Sequence, residues 1–352
     1  MNTMDMMEWS NWKNLTETTK RQVLAKVLMY FVSPLKLVTN IQAREFDMGG
    51  VKCATFELEI DGDPFIFIPG NNEAILGWDL GVQGLATNTW SQPFPQEQSL
   101  KTQQLIKEYG LVTSQQWDHY INLHTTPLRK VAIPPMLVEK YPKPVGSRYI
   151  GSLDTITGEF TGQVERFQPI EEEVRHLFAP PKTFEESLSQ NLPDQMVIGE
   201  NFYIELSQEM DCYYVFQTFT DNQRDLQKVL RKNGFTLLTE DQWEYAVGAG
   251  TRRLFRWGNE LDHDHSYWGR QVRRYLRDEN MFGVLVDDRL HRYEITAESF
   301  LKLDITEPTG MTLLDFLPMA SYYRAPRLIE DNEVLPITDF CYRRAIVVDL
   351  DK

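Results

Sequence analysis

An arginine stripe is the clearest candidate for a charged binding surface in this sequence. Its members recur at the i, i+3, i+4, i+7 spacing of one helical face, and they are Arg270, Arg273, Arg274 and Arg277. Guanidinium groups bind phosphate and carboxylate oxygens bidentately. The stripe therefore predicts a site for an anionic ligand, an acidic partner or a nucleic acid backbone. The alternative is that these arginines pair with the protein's own carboxylates.

A second group has the side chains of a metal site. Residues 262–265 read Asp-His-Asp-His, and imidazole and carboxylate groups are common ligands of transition metals. A mononuclear site needs ligands that converge in space, however, and adjacency in sequence does not supply this. The main expectation is therefore no cofactor. The alternative is a divalent metal ion held by His263, Asp264, His265 and His291.

Other catalytic signatures are missing from the sequence. It has no Gly-x-Ser-x-Gly elbow, no phosphate-binding loop, no His-Glu-x-x-His zinc helix and no dinucleotide fingerprint, which disfavours hydrolases, kinases and dehydrogenases. His119 and His124 lie five residues apart, which matches neither helical nor strand spacing, and are expected to be structural or solvated. Three widely spaced cysteines are expected to be free thiols.

Local patterns predict the elements that would position these groups. The apolar spacing from Asn14 to Val32 predicts an N-terminal helix with Asn14 as its cap. An alternating run from Phe56 to Ile60 and the apolar run Phe65-Ile-Phe-Ile, separated by Asp61-Gly-Asp63, predict a β-hairpin with a tight acidic turn. These patterns place a helix before the first strands.

Two further helices joined by a short extended link are predicted near the middle of the chain. The first is capped by Asp221, has Leu226, Val229 and Leu230 facing inward, and ends before Gly234. The second starts at Thr239, because Thr239-Glu-Asp-Gln is a capping box.

Composition limits the class of protein. The chain has 352 residues, with 36 Lys+Arg and 51 Asp+Glu, which gives a formal charge of −15, and 42% of its residues are hydrophobic. Its apolar runs are much shorter than the ~20 residues that a membrane-spanning helix needs. The first twelve residues lack the features of a secretory signal. We expect a globular protein in the cytoplasm that does not enter a membrane.

Several blocks of the sequence resemble the formylglycine-generating enzyme (sulfatase-modifying factor) family. The longest is Thr239-Glu-Asp-Gln-Trp-Glu-Tyr-Ala, followed by Gly248, Gly250 and Arg256-Trp-Gly-Asn. Shorter blocks follow the family's order at residues 67–70, 76–79, 127–141, 282–296 and 341–345. The resemblance implies an α+β fold with a C-type-lectin-like core. It would extend over residues 60–352, with loop insertions near 80–120 and 143–210, after residues 1–59, which would form an N-terminal helical segment and the first strand.

The resemblance also implies that the family's chemistry is missing. The positions of the copper-binding cysteine pair correspond here to Ala320 and Ala325, and a methyl group neither binds copper nor attacks a thiol. The loop that helps bind calcium in the family carries Arg289 and Arg292 here. The core aromatic residues and Glu244 are expected to maintain the fold, Glu244 by accepting hydrogen bonds from buried backbone donors.

These observations favour a non-catalytic binding or protein-interaction module on a formylglycine-generating-enzyme-like scaffold. Candidate ligand contacts are the arginine stripe together with Arg324 and Arg327. The alternative is a metal-dependent oxidoreductase or modifying enzyme of the same superfamily with a rebuilt site.

Overall fold

The protein is a mixed α+β structure that folds as two compact units. The computed structural model describes residues 2–91, 98–179, 194–199, 201–207, 211–259, 261, 277–287, 292–304, 309–330 and 332–349. Unit 1 comprises Met1–Lys143, Gln223–Glu333 and Asp339–Lys352, and unit 2 comprises Pro144–Asn222 and Val334–Thr338. The expected α+β class is confirmed at this level.

The strands are numbered in chain order. They are β1 Val38–Met48, β2 Val51–Ile60, β3 Asp63–Ile68, β4 Asn71–Leu76, β5 Arg129–Ile133, β6 Met136–Glu139, β7 Lys143–Pro144, β8 Ser147–Asp154, β9 Phe160–Gly162, β10 Gln195–Ile198, β11 Phe202–Leu206, β12 Cys212–Thr218, β13 Thr236–Leu237, β14 Tyr293–Ile295, β15 Leu301–Lys302, β16 Phe340–Tyr342 and β17 Arg344–Val347.

The α-helices are numbered in the same way. They are α1 Thr3–Met7, α2 Trp9–Trp12, α3 Glu17–Phe31, α4 Leu100–Tyr109, α5 Ser114–Leu123, α6 Val164–Phe167, α7 Glu171–Leu177, α8 Gln223–Lys232, α9 Glu240–Gly248 and α10 Thr312–Phe316. Of the regions predicted as loop insertions, residues 80–120 contain α4 and most of α5, and residues 143–210 contain much of unit 2.

An antiparallel sheet of six strands organises unit 1, in the order β1-β2-β3-β6-β17-β13. Trp12 packs its ring 4.8 Å from that of Phe67 on β3, and its indole N–H donates to the Ala54 carbonyl of β2. Lys20 of α3 donates to the same carbonyl at 2.8 Å. The N-terminal helices are therefore fixed to the sheet through β2.

The predicted hairpin is confirmed. Ile60 of β2 pairs with Asp63 of β3, so Asp61-Gly62 is a two-residue turn. Both turn residues have positive φ, +56° and +88°, as a type I′ turn requires.

The predicted N-terminal helix is present, but the prediction that Asn14 caps it is wrong. Helix α3 starts at Glu17, and the side chain of Thr16 accepts the Thr19 N–H. Asn14 instead donates to the Ser10 carbonyl. Both residues are good caps by type, and the structure uses the one directly before the helix.

The helix pair in the middle of the chain is confirmed, with one correction. Thr239 and Gln242 form the predicted capping box of α9. Gly234 has φ of +77° after α8, as its position past a helix end requires. Leu226 and Leu230 are buried, but Val229 is 54% exposed, so the inward face of α8 is narrower than predicted.

In the described part of unit 2, a five-stranded sheet packs with the helices α6 and α7. Its strand order is β10-β11-β12-β8-β9, and each pair is antiparallel. Its core contains Phe167, Ile170 and Val174 from the α6–α7 segment, packed with Ile204 and Val215 from the sheet. None of the helices that the structure describes is long and apolar enough to cross a membrane.

Candidate functional site

Some of the predicted arginine contacts lie outside the described residues, and others form ion pairs within the protein. Arg270, Arg273 and Arg274 lie outside the described residues, and Arg277 is partly buried directly after them. Arg324 donates two hydrogen bonds to Glu240 and lies 3.7 Å above the Phe300 ring. Arg327 forms a salt bridge with Glu333. Arg324 and Arg327 are therefore engaged by the protein's own carboxylates.

The alternative metal ligands His263, Asp264, His265 and His291 lie outside the described residues. Within the residues that are described, no group of three or more His, Cys, Asp or Glu side chains is arranged to hold a metal ion. Arg292 lies 3.4 Å from the Asp287 carboxylate, and both are buried.

The segment that resembles the family's cysteine-bearing strand is packed into the interior of unit 1. Ala320 and Ala325 are 1% and 3% exposed, and Ser321 and Tyr322 between them are fully buried. The Ser321 N–H donates to the Leu254 carbonyl at 2.8 Å. Because solvent does not reach these side chains, this segment contributes packing.

A network of buried charges surrounds this segment. Glu244 of α9 accepts hydrogen bonds from three side chains: Thr126 at 2.9 Å, Arg129 at 2.8 Å and Lys302 at 2.7 Å. The prediction that Glu244 satisfies backbone donors is therefore wrong. Sequence reasoning missed these partners because they lie 58 to 118 positions away.

Glu240, one helical turn before Glu244, extends the network. Burial alone would raise the pKa of the Glu240 carboxyl, but the hydrogen bond from Arg324 and the charge of Lys302 outweigh it and lower that pKa. The network thus consists of ion pairs that are satisfied internally, which is typical of a structural role.

A histidine and several tyrosines pack together beside this network. His124 is buried, and its Nδ1 atom lies 2.9 Å from the Tyr120 carbonyl. Its ring lies 4.4 Å from the ring of Tyr120 and stacks 6.4 Å from that of Tyr323. Burial lowers the pKa of His124, which favours the neutral form. This packing is in line with the structural role expected for His124.

The candidate site is an acidic cleft on unit 1, with a volume of about 340 Å³. Four of its lining residues are acidic, and three are aromatic or apolar. The lining residues are Glu45, Phe46, Asp47, Met48, Gly49, Trp257, Asp278 and Glu279.

One side of the acidic cleft is the tip of the β1–β2 hairpin. Met48 pairs with Val51, so Gly49-Gly50 forms the turn, and both glycines have positive φ. Arg253 donates to the Gly49 carbonyl at 2.9 Å, which fixes the tip. Gly49 has φ of +61°, a backbone conformation that favours glycine, and a Cβ there would displace the Arg253 guanidinium that contacts the tip.

The remaining lining residues of the acidic cleft are held by aromatic stacking and by a buried arginine. The Trp257 ring stacks 5.0 Å from that of Phe255, with an angle of 11° between the planes. Arg256 is buried and donates to the Asp278 carbonyl at 2.6 Å. This contact fixes the backbone of Asp278 beside the acidic cleft.

The carboxylates of the acidic cleft differ in how firmly they are paired. Glu279 lies 2.6 Å from the ammonium of Lys140, whose side chain is only 7% exposed. Glu45 and Asp47 share the exposed Lys52, at 3.6 and 3.3 Å. Such exposed pairs contribute little stability. An incoming cation could therefore replace Lys52 at small cost.

The comparisons with known proteins concern unit 2. Residues 148–217 match a family described as a profilin-like domain of unknown function, DUF7278. No curated protein and no solved structure matched the chain. The matched residues lie inside unit 2 and do not include the acidic cleft.

Sequence reasoning did not find the acidic cleft. Trp257 belongs to the Arg256-Trp-Gly-Asn block, but the acidic residues of the cleft lie at positions 45–47 and 278–279, outside that block. The available signal was weak: Glu45 and Asp47 flank Phe46 on a strand, so that two carboxylates share one face.

Proposed function

We propose that the protein is a non-catalytic interaction module whose acidic cleft accepts a lysine or arginine side chain of a basic partner protein. The observation that carries this proposal is the presence of four acidic residues and Trp257 in the lining of a single cleft. Carboxylates attract a cation, and an indole ring binds it through its face. The net charge of −15 attracts a basic partner over longer distances.

We propose further that the scaffold is formylglycine-generating-enzyme-like, with a C-type-lectin-like core, and that the protein acts in the cytoplasm. The confirmed capping box at Thr239 and the burial of Trp243, Tyr245 and Phe282 support this scaffold. The packed interior position of Ala320 and Ala325 supports a role without catalysis. Binding of an anion at Arg270–Arg277 stays a separate prediction.

The size of the acidic cleft suits one side chain. A volume of about 340 Å³ accommodates the end of an arginine or lysine side chain, and Asp47 and Asp278 contribute to its lining from separate segments of the chain. A guanidinium has donors on both edges of its plane, so it can contact two acidic residues at once.

The proposal is tested by titrating the full-length protein with acetyl-Gly-Gly-Arg-Gly-Gly-amide and its citrulline counterpart. Binding is followed through the indole N–H resonance of Trp257, assigned with Trp257→Phe. We expect the arginine peptide to shift this resonance and the citrulline peptide to leave it unchanged. Asp47→Asn combined with Asp278→Asn should weaken binding about tenfold or more, because it removes two charge-assisted contacts.

The matched control removes two exposed carboxylates that lie elsewhere on unit 1. Glu17 and Glu73 are 65% and 75% exposed, so Glu17→Gln combined with Glu73→Gln changes the net charge by the same amount. If both double variants weaken binding equally, attraction to the whole acidic chain explains the result and the acidic cleft is not the site.

A metal assay tests the non-catalytic part of the proposal. Purified protein is analysed by elemental mass spectrometry, and its copper(I) affinity is measured in competition with a chromophoric chelator at neutral pH. We expect no stoichiometric metal and no tight copper binding, because alanines occupy positions 320 and 325. A stoichiometric transition metal would favour the alternative, an enzyme with a rebuilt site.

A further inference from the structure

Strand β1 forms one edge of the six-stranded sheet of unit 1. It pairs with β2 on one side, and no strand that the structure describes lies on its other side. With eleven residues, Val38–Met48, it exceeds the usual length of a strand. A long edge strand without a neighbour is a place where an extended segment of another chain can add a strand.

The partners of Ala54 show which backbone groups of β1 point away from β2. Ala54 lies opposite Glu45 in the β1–β2 register. Its carbonyl accepts hydrogen bonds from the Trp12 indole and the Lys20 ammonium, which occupy both lone pairs of the oxygen. That carbonyl is therefore not bonded to β1. It follows that Glu45 and Ala54 form a non-hydrogen-bonded pair, in which each residue directs its N–H and C=O away from the other.

The turn between β1 and β2 gives the same result. Met48 and Val51 flank the two-residue turn Gly49-Gly50, in which both glycines have positive φ. The residues that flank such a turn form a hydrogen-bonded pair, and bonded and non-bonded pairs alternate from there along the strands. Every second residue of β1 therefore directs its backbone groups outward. We call three of these residues the open edge: Ala43, Glu45 and Asp47.

The backbone of the open edge has no hydrogen-bond partner among the described residues. All three residues are exposed, and the side chains of Glu45 and Asp47 are 63% and 44% exposed. Their backbone groups recur every ~7 Å along the strand, which is the spacing that a paired antiparallel strand requires. Because each residue carries one donor and one acceptor, the open edge can bond an added strand at all three positions.

Charge favours a basic segment as the added strand. Glu45 and Asp47 lie two positions apart, so their side chains share one face of the sheet. The exposed Lys52 contacts both carboxylates, at 3.6 and 3.3 Å, so one ammonium serves two negative charges. A strand with basic residues at alternate positions would place a cation opposite each carboxylate, and opposite charges across two strands stabilise their pairing.

The same charges disfavour a second copy of this chain at the open edge. In two-fold antiparallel pairing, the register decides which residues meet. The registers that overlap the open edges place Glu45 opposite itself, Glu45 opposite Asp47, or Arg44 opposite itself. Like charges directly opposite one another destabilise a strand pair. Charged residues on an edge strand thus prevent self-pairing, and a basic strand does not meet this repulsion.

We infer that the open edge of β1 binds an extended basic segment of a partner protein as an added strand. The added strand is antiparallel, as every described pair in this sheet is. Residues 45–48 of β1 also line the acidic cleft, so the added strand passes beside the cleft. The inference rests on the proposed function for the basic character of the partner. It adds that the partner is bound through its backbone and in extended form.

The test uses the full chain and three peptides with the sequence acetyl-Thr-Arg-Val-Arg-Thr-amide. One is unmodified, one is N-methylated at the second arginine, and one is N-methylated at the valine. When the arginines lie opposite Glu45 and Asp47, their N–H groups face β1 and the valine N–H faces away. Calorimetric titration should show about tenfold or more weaker binding for the arginine-methylated peptide, because a hydrogen bond is lost, and unchanged binding for the valine-methylated peptide. All three peptides carry the same charge, so attraction to the acidic chain affects them equally.

Hydrogen exchange of the protein's own amides, followed by NMR, detects the pairing directly. Saturating unmodified peptide should slow the exchange of the Glu45 N–H about tenfold or more. The Phe46 N–H is the control, because Phe46 is already in a bonded pair with Cys53 and its exchange should change little. The inference is wrong if the Glu45 exchange is unchanged in the complex. It is also wrong if both methylated peptides bind equally, or if the valine methyl group alone weakens binding.

The Trp257 indole resonance separates this inference from the proposed function. If the unmodified peptide shifts that resonance without protecting the Glu45 N–H, the acidic cleft is the site and the strand pairing is wrong. Protection of the Glu45 N–H without a shift at Trp257 would support the strand pairing and contradict the proposed function. If the unmodified peptide does not bind, both are wrong.

Discussion

The ammonium of Lys302 lies 2.7 Å from the Glu244 carboxylate, and both side chains are fully buried. Lys302 also donates to the Tyr323 carbonyl at 2.8 Å and lies 3.1 Å from Glu240. These contacts join strand β15, helix α9 and the segment that contains Ala320 and Ala325. A charge that is satisfied on all sides in this way is suited to holding the interior of unit 1 together.

Replacing Lys302 should destabilise unit 1 strongly. Lys302→Met leaves the Glu244 carboxylate buried with one cation fewer, and removing one partner of a buried pair typically costs about 3–5 kcal/mol. Urea denaturation measures the change. Lys228→Met is the control, because Lys228 is 60% exposed and its loss should change the unfolding free energy by less than about 0.5 kcal/mol.

A double variant tests whether Lys302 and Glu244 act together. Adding Glu244→Gln to Lys302→Met should lower the unfolding free energy by less than the sum of the two single changes. Additive losses would show that the two residues are not coupled.

Acid should destabilise the protein partly through Glu240. Its pKa in the folded state is lowered from the ordinary value of 4.5, because Arg324 and Lys302 outweigh the effect of burial. A lowered carboxyl pKa contributes stability that is present above the unfolded-state value and is lost as the pH falls through the folded-state value. The unfolding free energy should therefore fall below about pH 4.5.

Glu240→Gln isolates this contribution to the pH dependence. The variant should be less stable than wild type near neutral pH and should lose less stability between about pH 6 and pH 3.5. Urea denaturation at several pH values gives both quantities. Parallel stability curves for the two proteins would mean that Glu240 does not contribute.

Removing the cap of α9 should have a moderate effect. Thr239→Ala deletes the side chain that accepts the Gln242 N–H, and the usual cost is about 1 kcal/mol. The control is Thr18→Ala, since Thr18 is exposed within α3 and alanine is the better helix former there. Chemical denaturation should show a loss for the first variant and no loss for the second. An unchanged midpoint for Thr239→Ala would argue against the observed helix start.

The three free cysteines should differ in reactivity. Burial raises the pKa of the Cys53 thiol to about 12 and that of the fully buried Cys341 thiol well above its ordinary value. Cys212 is partly exposed, although burial also raises its pKa. Iodoacetamide acts on the thiolate, so native protein should be labelled first at Cys212.

Peptide mass spectrometry after labelling checks this order. In guanidinium chloride all three cysteines should react, and Cys212→Ser should remove the early labelling of the native protein. Rapid modification of Cys53 in the native state would show that β2 opens more easily than its burial indicates.

Features with local causes were predictable from the sequence. The capping box at Thr239 and the turn at Asp61-Gly62 depend on residues within four positions of one another, and both are present. The exposure of Val229 was missed, because helical spacing alone does not fix how wide the buried face of α8 is.

Features that depend on residues far apart in the sequence could not be predicted from it. The partners of Glu244 lie 58 to 118 positions away along the chain, and the walls of the acidic cleft are separated by about two hundred positions. The sheet of unit 2 depends on strand order and on a register shift between Val215 and Phe216 that brings Tyr149 opposite Phe216. A single sequence carries no signal for such pairings.

Strand β17 lies inside the six-stranded sheet, between β6 and β13, although it is the last strand of that sheet to be synthesised. Until residues 344–347 leave the ribosome, β6 has one open edge and β13 has no neighbour in the sheet. The sheet of unit 1 therefore cannot be completed before residue 347 has been synthesised, and pairing over such long sequence separations is slow. During that interval the nascent chain presents unpaired strand edges, which are open to pairing with other chains.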